Sequence, residues 1–382
     1  MNLMPLGEIP CEQFLAEYWQ KKPLLIRNAL PNVSSPVSAE ILAGLACEDE
    51  IESRIVIQHQ SEKGWELKHG PFKESDFSTL PISHWTLLVQ AVDHWNPEAA
   101  KFLELFTFIP RWRIDDLMIS YACDGGGVGP HYDNYDVFLV QTSGKRKWEI
   151  GGIYNEDAPL LKNLPVSILS DFSATESWVL EPGDILYVPP GFAHNGIAEG
   201  NDCITCSVGF RAPSHSEILR EYTDFIGEQL SESIRYEDPD LLMQNNTGEI
   251  SAQTIEKIQH ILQKYTGNKE VISNWFGHYI TTPKYSQESE KIYTSDDLKI
   301  YLDSGNFIFR NEISRFAFEA KDNNLILYVD GESFENTTSL NPLIETLCAN
   351  IKFNKQDIIQ TDENLNLLLK LLQRGSLYLI DR

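Results

Sequence analysis

GPHYDNYDVFLVQTSGKRKW, residues Gly129 to Trp148, is the stretch on which the fold turns. His131 and Asp133 stand two apart, the apolar run DVFLVQ follows, and a Lys-Arg-Lys cluster opens a second alternating run. If GPHYDNYDVF enters a strand, residues two apart share a face, so His131 and Asp133 point one way. Asp136, an odd number of positions from His131, points the other. In KRKWEIG, alternation groups Arg146 with Trp148 and Ile150 toward a core, and Lys145, Lys147 and Glu149 toward solvent.

Outward from this stretch, residues 116–210 read as short alternating runs broken by Gly and Pro turns: DLMISYA, DVFLVQ, KWEIGG, ESWVL, DILYVP and CITCSVGF. Such spacing predicts an antiparallel barrel or sandwich. Upstream, FLAEYWQKKPLLIRNALPN predicts a short helix, a turn and the strand PLLIR, and SRIVIQ and WELKHGPF predict strands and turns. HWTLLVQAVDHWNPEAAKFLELF is read as helical, with Trp85, Leu88, Val89 and Val92 at helical spacing. After residue 213 the pattern changes. SHSEILREYTDFIGEQL puts Ile218, Leu219, Tyr222, Phe225 and Ile226 on one helical face, and SAQTIEKIQHILQKY does the same with Ile255, Ile258, Ile261 and Leu262. From Asp296 on, helical pieces and a short hairpin fit a small winged-helix-like module.

The 382 residues, 42% hydrophobic, can bury a large catalytic domain and one or two smaller ones. No apolar run has membrane-spanning length, and MNLMPLGEIPCEQF lacks a basic start and apolar stretch, so a cytoplasmic address is expected. Lys and Arg total 31 against 56 acidic residues, a net charge of -25. A surface so acidic repels phosphate backbones and attracts basic partners, so direct nucleic-acid binding is not expected. From Asp296 on, acidic residues also outnumber basic ones, so the winged-helix-like module lacks a DNA-reading stripe. Cys203 and Cys206 form the one CxxC, but three positions apart on a strand they face opposite ways and read as buried thiols. GGGVGP lacks dinucleotide-loop spacing and precedes a strand, so it reads as a flexible turn. His59, His69, His84, His94, His215, His260 and His278 show no ligand spacing.

A second candidate imidazole follows the turn-strand-bend of LEPGDILYVPPGFAHNG, which delivers His194. Two imidazoles and a carboxylate on a barrel interior form the facial triad of non-haem Fe(II) oxygenases; manganese or nickel suits the same ligands. A structural zinc site wants a fourth protein ligand, and none is evident. A guanidinium pointing into a barrel is costly unless it meets an anion, and Arg holds a carboxylate through two parallel hydrogen bonds. Triad and arginine together ask for 2-oxoglutarate, its keto-acid end on iron and its far carboxylate on Arg146.

The long DDLMISYACDGGGVGPHYDNYDVFLVQ, with GKRKWEIG, EPGDILYVPPGFAHNG, SVGFRAPS and IRYEDPD, resembles the JmjC-type cupin oxygenases. Most closely it resembles the bacterial ribosomal oxygenases that hydroxylate an arginine of large-subunit ribosomal protein sixteen. YWQKKPLLIRNA and LDSGNFIFRNEISRFAF extend the resemblance over nearly the whole chain. It implies an α+β architecture: a double-stranded β-helix (cupin/JmjC) barrel with N-terminal helix and strands at 1–212, a helical dimerisation region at 213–285, and a winged-helix-like domain at 286–382. It implies a homodimer that uses Fe(II), 2-oxoglutarate and O2 to hydroxylate an arginine, at the β-carbon, of a basic ribosomal protein. His131, Asp133 and His194 would hold iron. Ser120 and Arg146 would hold 2-oxoglutarate, with Arg235 near the cosubstrate or substrate.

Alternation in DDLMIS puts Asp116, Met118 and Ser120 on one face, so with Ser120 inside, Met118 lines the way and Asp116 stands nearer the mouth, where it can pair with an incoming guanidinium. Tyr135 shares the face of His131 by parity and can pack along the arginine methylenes. A competing reading is a non-catalytic cupin that assists ribosome assembly, and a third is the same chemistry on another side chain such as histidine.

Overall fold

Strands between Leu24 and Phe210 pair antiparallel into one nine-stranded sheet. The computed structural model describes residues 5–59, 64–285, 292–334 and 337–380, and the chain divides into units at 1–212 and 213–382. The first unit runs α1 (Cys11–Glu17), β1 (Leu24–Ile26), α2 (Ala39–Leu45), β2 (Ser53–Gln58), β3 (Trp65–His69), α3 (Glu74–Ser78), β4 (Trp85–Val89), α4 (Pro97–Phe102) and β5 (Ile114–Ala122). It continues with β6 (Val137–Ile153), β7 (Glu176–Leu180), β8 (Ile185–Val188) and β9 (Phe192–Phe210). The strand order is β1-β8-β6-β9-β5-β4-β2-β3, with β7 on β6.

DVFLVQ and KWEIGG, separate runs in the sequence, are one 17-residue strand, and GFAHNG joins CITCSVGF in the 19-residue β9. These two strands pair along almost their whole length, and β6 pairs with β8 in its first half and β7 in its second. They carry the chain through both halves of the double-stranded β-helix. Register shifts between Gln141 and Lys145 make this possible. Gly144 there has φ +63°, and a Cβ on it would meet Cys203 Cα at 2.8 Å, so glycine is required. The bulge also switches which parity faces the barrel interior. Val137 and Leu139 line it before the bulge, Arg146 and Trp148 after it.

HWTLLVQAVDHWNPEAAKFLELF is not one helix. Trp85–Val89 is a strand between β2 and β5, residues 92–94 form a single tight turn, and α4 starts only at Pro97, capped by Asn96. Leu87 and Val89 pack in the main core while Thr86 and Leu88 face the barrel cavity. A strand buried on both faces carries no two-residue alternation of polarity, so its apolar run mimics a helical stripe. The CxxC cysteines are both buried and free on β9, Cys206 in the main core and Cys203 in a separate cluster with Ala122 and Ala198.

Outside the barrel, Asp136 is fully buried and ties the N-terminal segment to the sheet. Tyr187 Oη donates to its Oδ1 at 2.6 Å, Gln20 Nε2 to its Oδ2 at 2.9 Å, and Arg113 Nη2 lies 3.4 Å from Oδ2.

The second unit opens with α5 (His215–Gln229), α6 (Ala252–Thr266) and α7 (Lys269–Thr281), N-capped by Ser214, Ser251 and Asn268. Next come α8 (Ser295–Asp303), β10 (Ile308–Arg310), the β11–β12–β13 meander (Phe316–Lys321, Asn324–Val329, Glu332–Phe334), α9 (Asn341–Ala349), β14 (Lys352–Phe353), α10 (Asp362–Gln373) and β15 (Leu377–Leu379). Leucines of α8, α9 and α10 close one core with these strands, and α7 packs against the meander. On α6, Ile255 and Leu262 are more than half exposed and Ile258 and Ile261 over a third. No helix among the described residues is long and apolar enough to cross a membrane.

Candidate active site

The interior faces of β2, β4, β5, β6 and β9 enclose a cavity of about 680 Å³. Its lining follows the pleat: Arg54 and Val56 from β2, Thr86 and Leu88 from β4, Asp116, Met118 and Ser120 from β5. The segment between β6 and β7 adds Leu160, Pro165, Val166 and Leu169.

His131, Asp133 and His194 meet at one end. Their ligand-capable atoms all lie within 4.8 Å of one another, with Asp133 Oδ2 at 3.9 Å from His131 Nε2 and 3.6 Å from His194 Nε2. The route differs from the one the sequence suggested. β6 begins only at Val137, so strand parity does not align His131 with Asp133. Instead His131 forms an isolated bridge with His194, each backbone N–H donating to the other's carbonyl at 3.0 and 2.8 Å. Asp133 is fixed by Gly191 N donating to its carbonyl at 2.7 Å.

Both imidazoles are held alike. His131 Nδ1 donates to Gly129 O and His194 Nδ1 to Phe192 O, each at 3.0 Å. With the proton on Nδ1, the lone pair stays on Nε2, facing Asp133. Burial, reinforced by the neighbouring His131, pushes His194 down to about 4, against the opposite pulls of Asp133 and the Phe192 carbonyl. It is a neutral imidazole at pH 7. Two neutral imidazole nitrogens and a carboxylate oxygen, all within 4.8 Å of one another, are the donor set that a divalent transition metal takes. The set fits a 2-His-1-carboxylate metal.

Arg146 is 5% exposed and lines the same cavity. Its Nη1 leans toward Ser120 Oγ at 3.5 Å, while Nε and Nη2 are buried without a hydrogen-bond partner. Those two nitrogens form the side-on edge of the guanidinium, whose parallel N–H bonds match the two oxygens of a carboxylate. An orphaned buried cation costs several kcal/mol, roughly, so an anion is the partner this wall lacks.

Ser120 is buried beside Arg146, and Met118 lines the cavity on the same face. Asp116 lines it too, but is only 3% exposed and does not stand open at the mouth: Gln90 Nε2 donates to both its oxygens, at 3.1 and 2.9 Å. Tyr135 borders the cavity and is 43% exposed. These lining residues belong to the first unit; Arg235 belongs to the second, exposed in the segment 230–251. Gln90 and Asp115 escaped the sequence reading. Gln90 has the strand parity of Thr86 and Leu88, a signal hidden by reading WTLLVQ as helix. Asp115 reaches the cavity because the β5–β9 register slips between Ile114 and Asp116.

A β-helix barrel that gathers two imidazoles, a carboxylate and a buried arginine defines a JmjC-type cupin oxygenase. The family model for the JmjC domain matches residues 101–218, and one for a ROXA-like winged helix matches 256–378. The chain belongs to the ribosomal oxygenase family. It is 34% identical over 371 residues, 95% of both chains, to ribosomal protein uL16 3-hydroxylase of Escherichia coli. It is 32% identical to a probable ribosomal oxygenase of Haemophilus influenzae, over 84% of this chain and 81% of that one. The structure of the E. coli ribosomal oxygenase YcfD with cobalt and 2-oxoglutarate superposes with a TM-score of 0.86 at 32% identity, covering 98% of this chain and 99% of that one.

Proposed function

We propose that the protein is an Fe(II)- and 2-oxoglutarate-dependent hydroxylase that acts on an arginine side chain, at the β-carbon, of a large-subunit ribosomal protein. One observation carries the reading: a triad with its Nε2 lone pairs directed at Asp133 shares a cavity with an unpartnered guanidinium edge. His131, Asp133 and His194 would hold iron, and Arg146 with Ser120 the far carboxylate of 2-oxoglutarate. Iron, 2-oxoglutarate and O2 together supply the oxidant for an unactivated C–H bond, with succinate and CO2 as co-products.

The chain's own residues then bind, orient and exclude water. Asp116, held by Gln90, offers a carboxylate to the substrate guanidinium; Met118 and Tyr135 flank its methylenes. The net charge of -25 favours a basic protein substrate over nucleic acid. The names of the relatives support a ribosomal protein as that substrate. The exposed apolar stripe of α6 supports a homodimer. A cytoplasmic address follows from the substrate class.

The test is incubation with Fe(II), 2-oxoglutarate and the cell's own ribosomal proteins, followed by mass spectrometry. One ribosomal protein should gain one oxygen atom, on an arginine, with matching succinate. Succinate formation without any modified protein, or oxygen found on histidine, would overturn the arginine assignment; no turnover by a metal-loaded protein would favour a non-catalytic cupin.

A further inference from the structure

Trp148 follows Arg146 by two positions on β6, so both side chains face the barrel interior, and both line the cavity. Its ring is held on three sides. Gly196 is its partner on β9, and a Cβ there would meet the indole carbons at 2.7 Å, so glycine leaves room for the ring to lie against the strand. The Arg146 guanidinium carbon stands 5.6 Å from the ring centroid and the His194 imidazole 5.8 Å. The ring thus spans the wall between the metal triad and the arginine. Its Nε1–H is buried and has no acceptor.

Indole donates and cannot accept, and a buried indole N–H normally finds a partner. The Arg146 guanidinium, its carbon 5.6 Å from the centroid of this ring, carries two more unmet donors. A carboxylate has about four lone-pair sites, of which the arginine edge takes two. Such clustering of orphaned donors on one wall of one cavity is what a bound anion resolves. We infer that Trp148 is a further cosubstrate-binding residue, whose Nε1–H donates to the carboxylate that Arg146 holds. Its ring fixes the path of the carbon chain from that carboxylate to the metal. The inference rests on the reading of this cavity as a metal and 2-oxoglutarate site.

Calorimetry on Co(II)-loaded protein tests it with two ligands, 2-oxoglutarate and 2-oxopentanoate, which lacks the far carboxylate. Trp148→Phe keeps an aromatic wall and removes the donor. The expected result is about tenfold weaker 2-oxoglutarate binding, the loss of one hydrogen bond to a charged group, with 2-oxopentanoate unchanged. Unchanged 2-oxoglutarate affinity, or equal loss for both ligands, would overturn the inference. In the wild type loaded with Zn(II), the Trp148 indole N–H resonance should move downfield on 2-oxoglutarate addition, and a stationary resonance contradicts the inference even if the variant does not fold. Failure of the wild type itself to bind 2-oxoglutarate would instead remove the functional reading beneath it.

Discussion

Arg146→Met keeps most of the arginine stem's volume and removes its charge and donors. In the ligand-free protein Nε and Nη2 are buried and unmet, and an unmet buried donor costs about 1–3 kcal/mol. Contact of the guanidinium with the Trp148 ring, at 5.6 Å, returns about 1 kcal/mol. The substitution should therefore stabilise the ligand-free protein by about 2 kcal/mol, which for a unit of this size raises Tm by about 4–8 °C. Thermal unfolding in the presence of a chelator measures that gain. With Co(II) and 2-oxoglutarate at a hundred times the wild-type Kd, the wild type should gain about 2.7 kcal/mol and the variant much less. Arg146→Lys should fall between, keeping the charge, losing the paired contact and weakening cosubstrate binding about 10- to 100-fold. A variant that melts below the wild type without ligand shows the arginine to be structural. One whose gain from 2-oxoglutarate matches that of the wild type removes the arginine from the binding site.

Asp116→Ala should lower kcat/KM for a ribosomal-protein peptide about 10- to 100-fold with little effect on 2-oxoglutarate Kd, because its carboxylate lies on β5 with Gln90 holding both oxygens; matching losses in both would point to a collapsed wall. Ile258→Glu places charges in the α6 stripe and should convert a dimer to monomers in light scattering, whereas a monomeric wild type or a dimeric variant contradicts the interface. Burial raises the Asp136 carboxyl despite donors from Tyr187, Gln20 and Arg113. A raised folded pKa means the native state holds the proton more tightly. Its stability contribution is therefore full below the unfolded value near 4 and is lost as pH rises through the folded value. Stability of the wild type relative to Asp136→Asn should thus increase as pH falls from neutrality toward about 4, and a decrease over that window would refute the assigned shift.

The barrel was legible wherever one face of a strand is polar. Lys145, Lys147 and Glu149 on one side, and Arg146, Trp148 and Ile150 on the other, reported the second half of β6 directly. The candidate metal ligands could be picked out by residue type, but their convergence depends on the His131–His194 bridge, a contact between residues 63 apart in sequence that no local parity contains. The β4 strand was misread because it is buried on both faces, and Gln90 was lost with it. Parity in DDLMIS sets Asp116 nearer the mouth than Ser120, but no local pattern reveals that Gln90 donates to both its oxygens. The bulge at Gly144 is the least visible feature and the most consequential. It turns Arg146 and Trp148 into the cavity after Val137 and Leu139 have set the opposite parity.

The central claim is that His131, Asp133 and His194 bind a single ion to which 2-oxoglutarate, anchored on Arg146, adds its keto-acid end. Anaerobic titration of Fe(II) into the protein with 2-oxoglutarate, followed by visible charge-transfer absorption, reads this directly. The band should saturate at one iron per chain, vanish in Asp133→Ala, and require more 2-oxoglutarate in Arg146→Lys. A wild type that gives no band, or an Asp133→Ala protein that gives the same one, would contradict it.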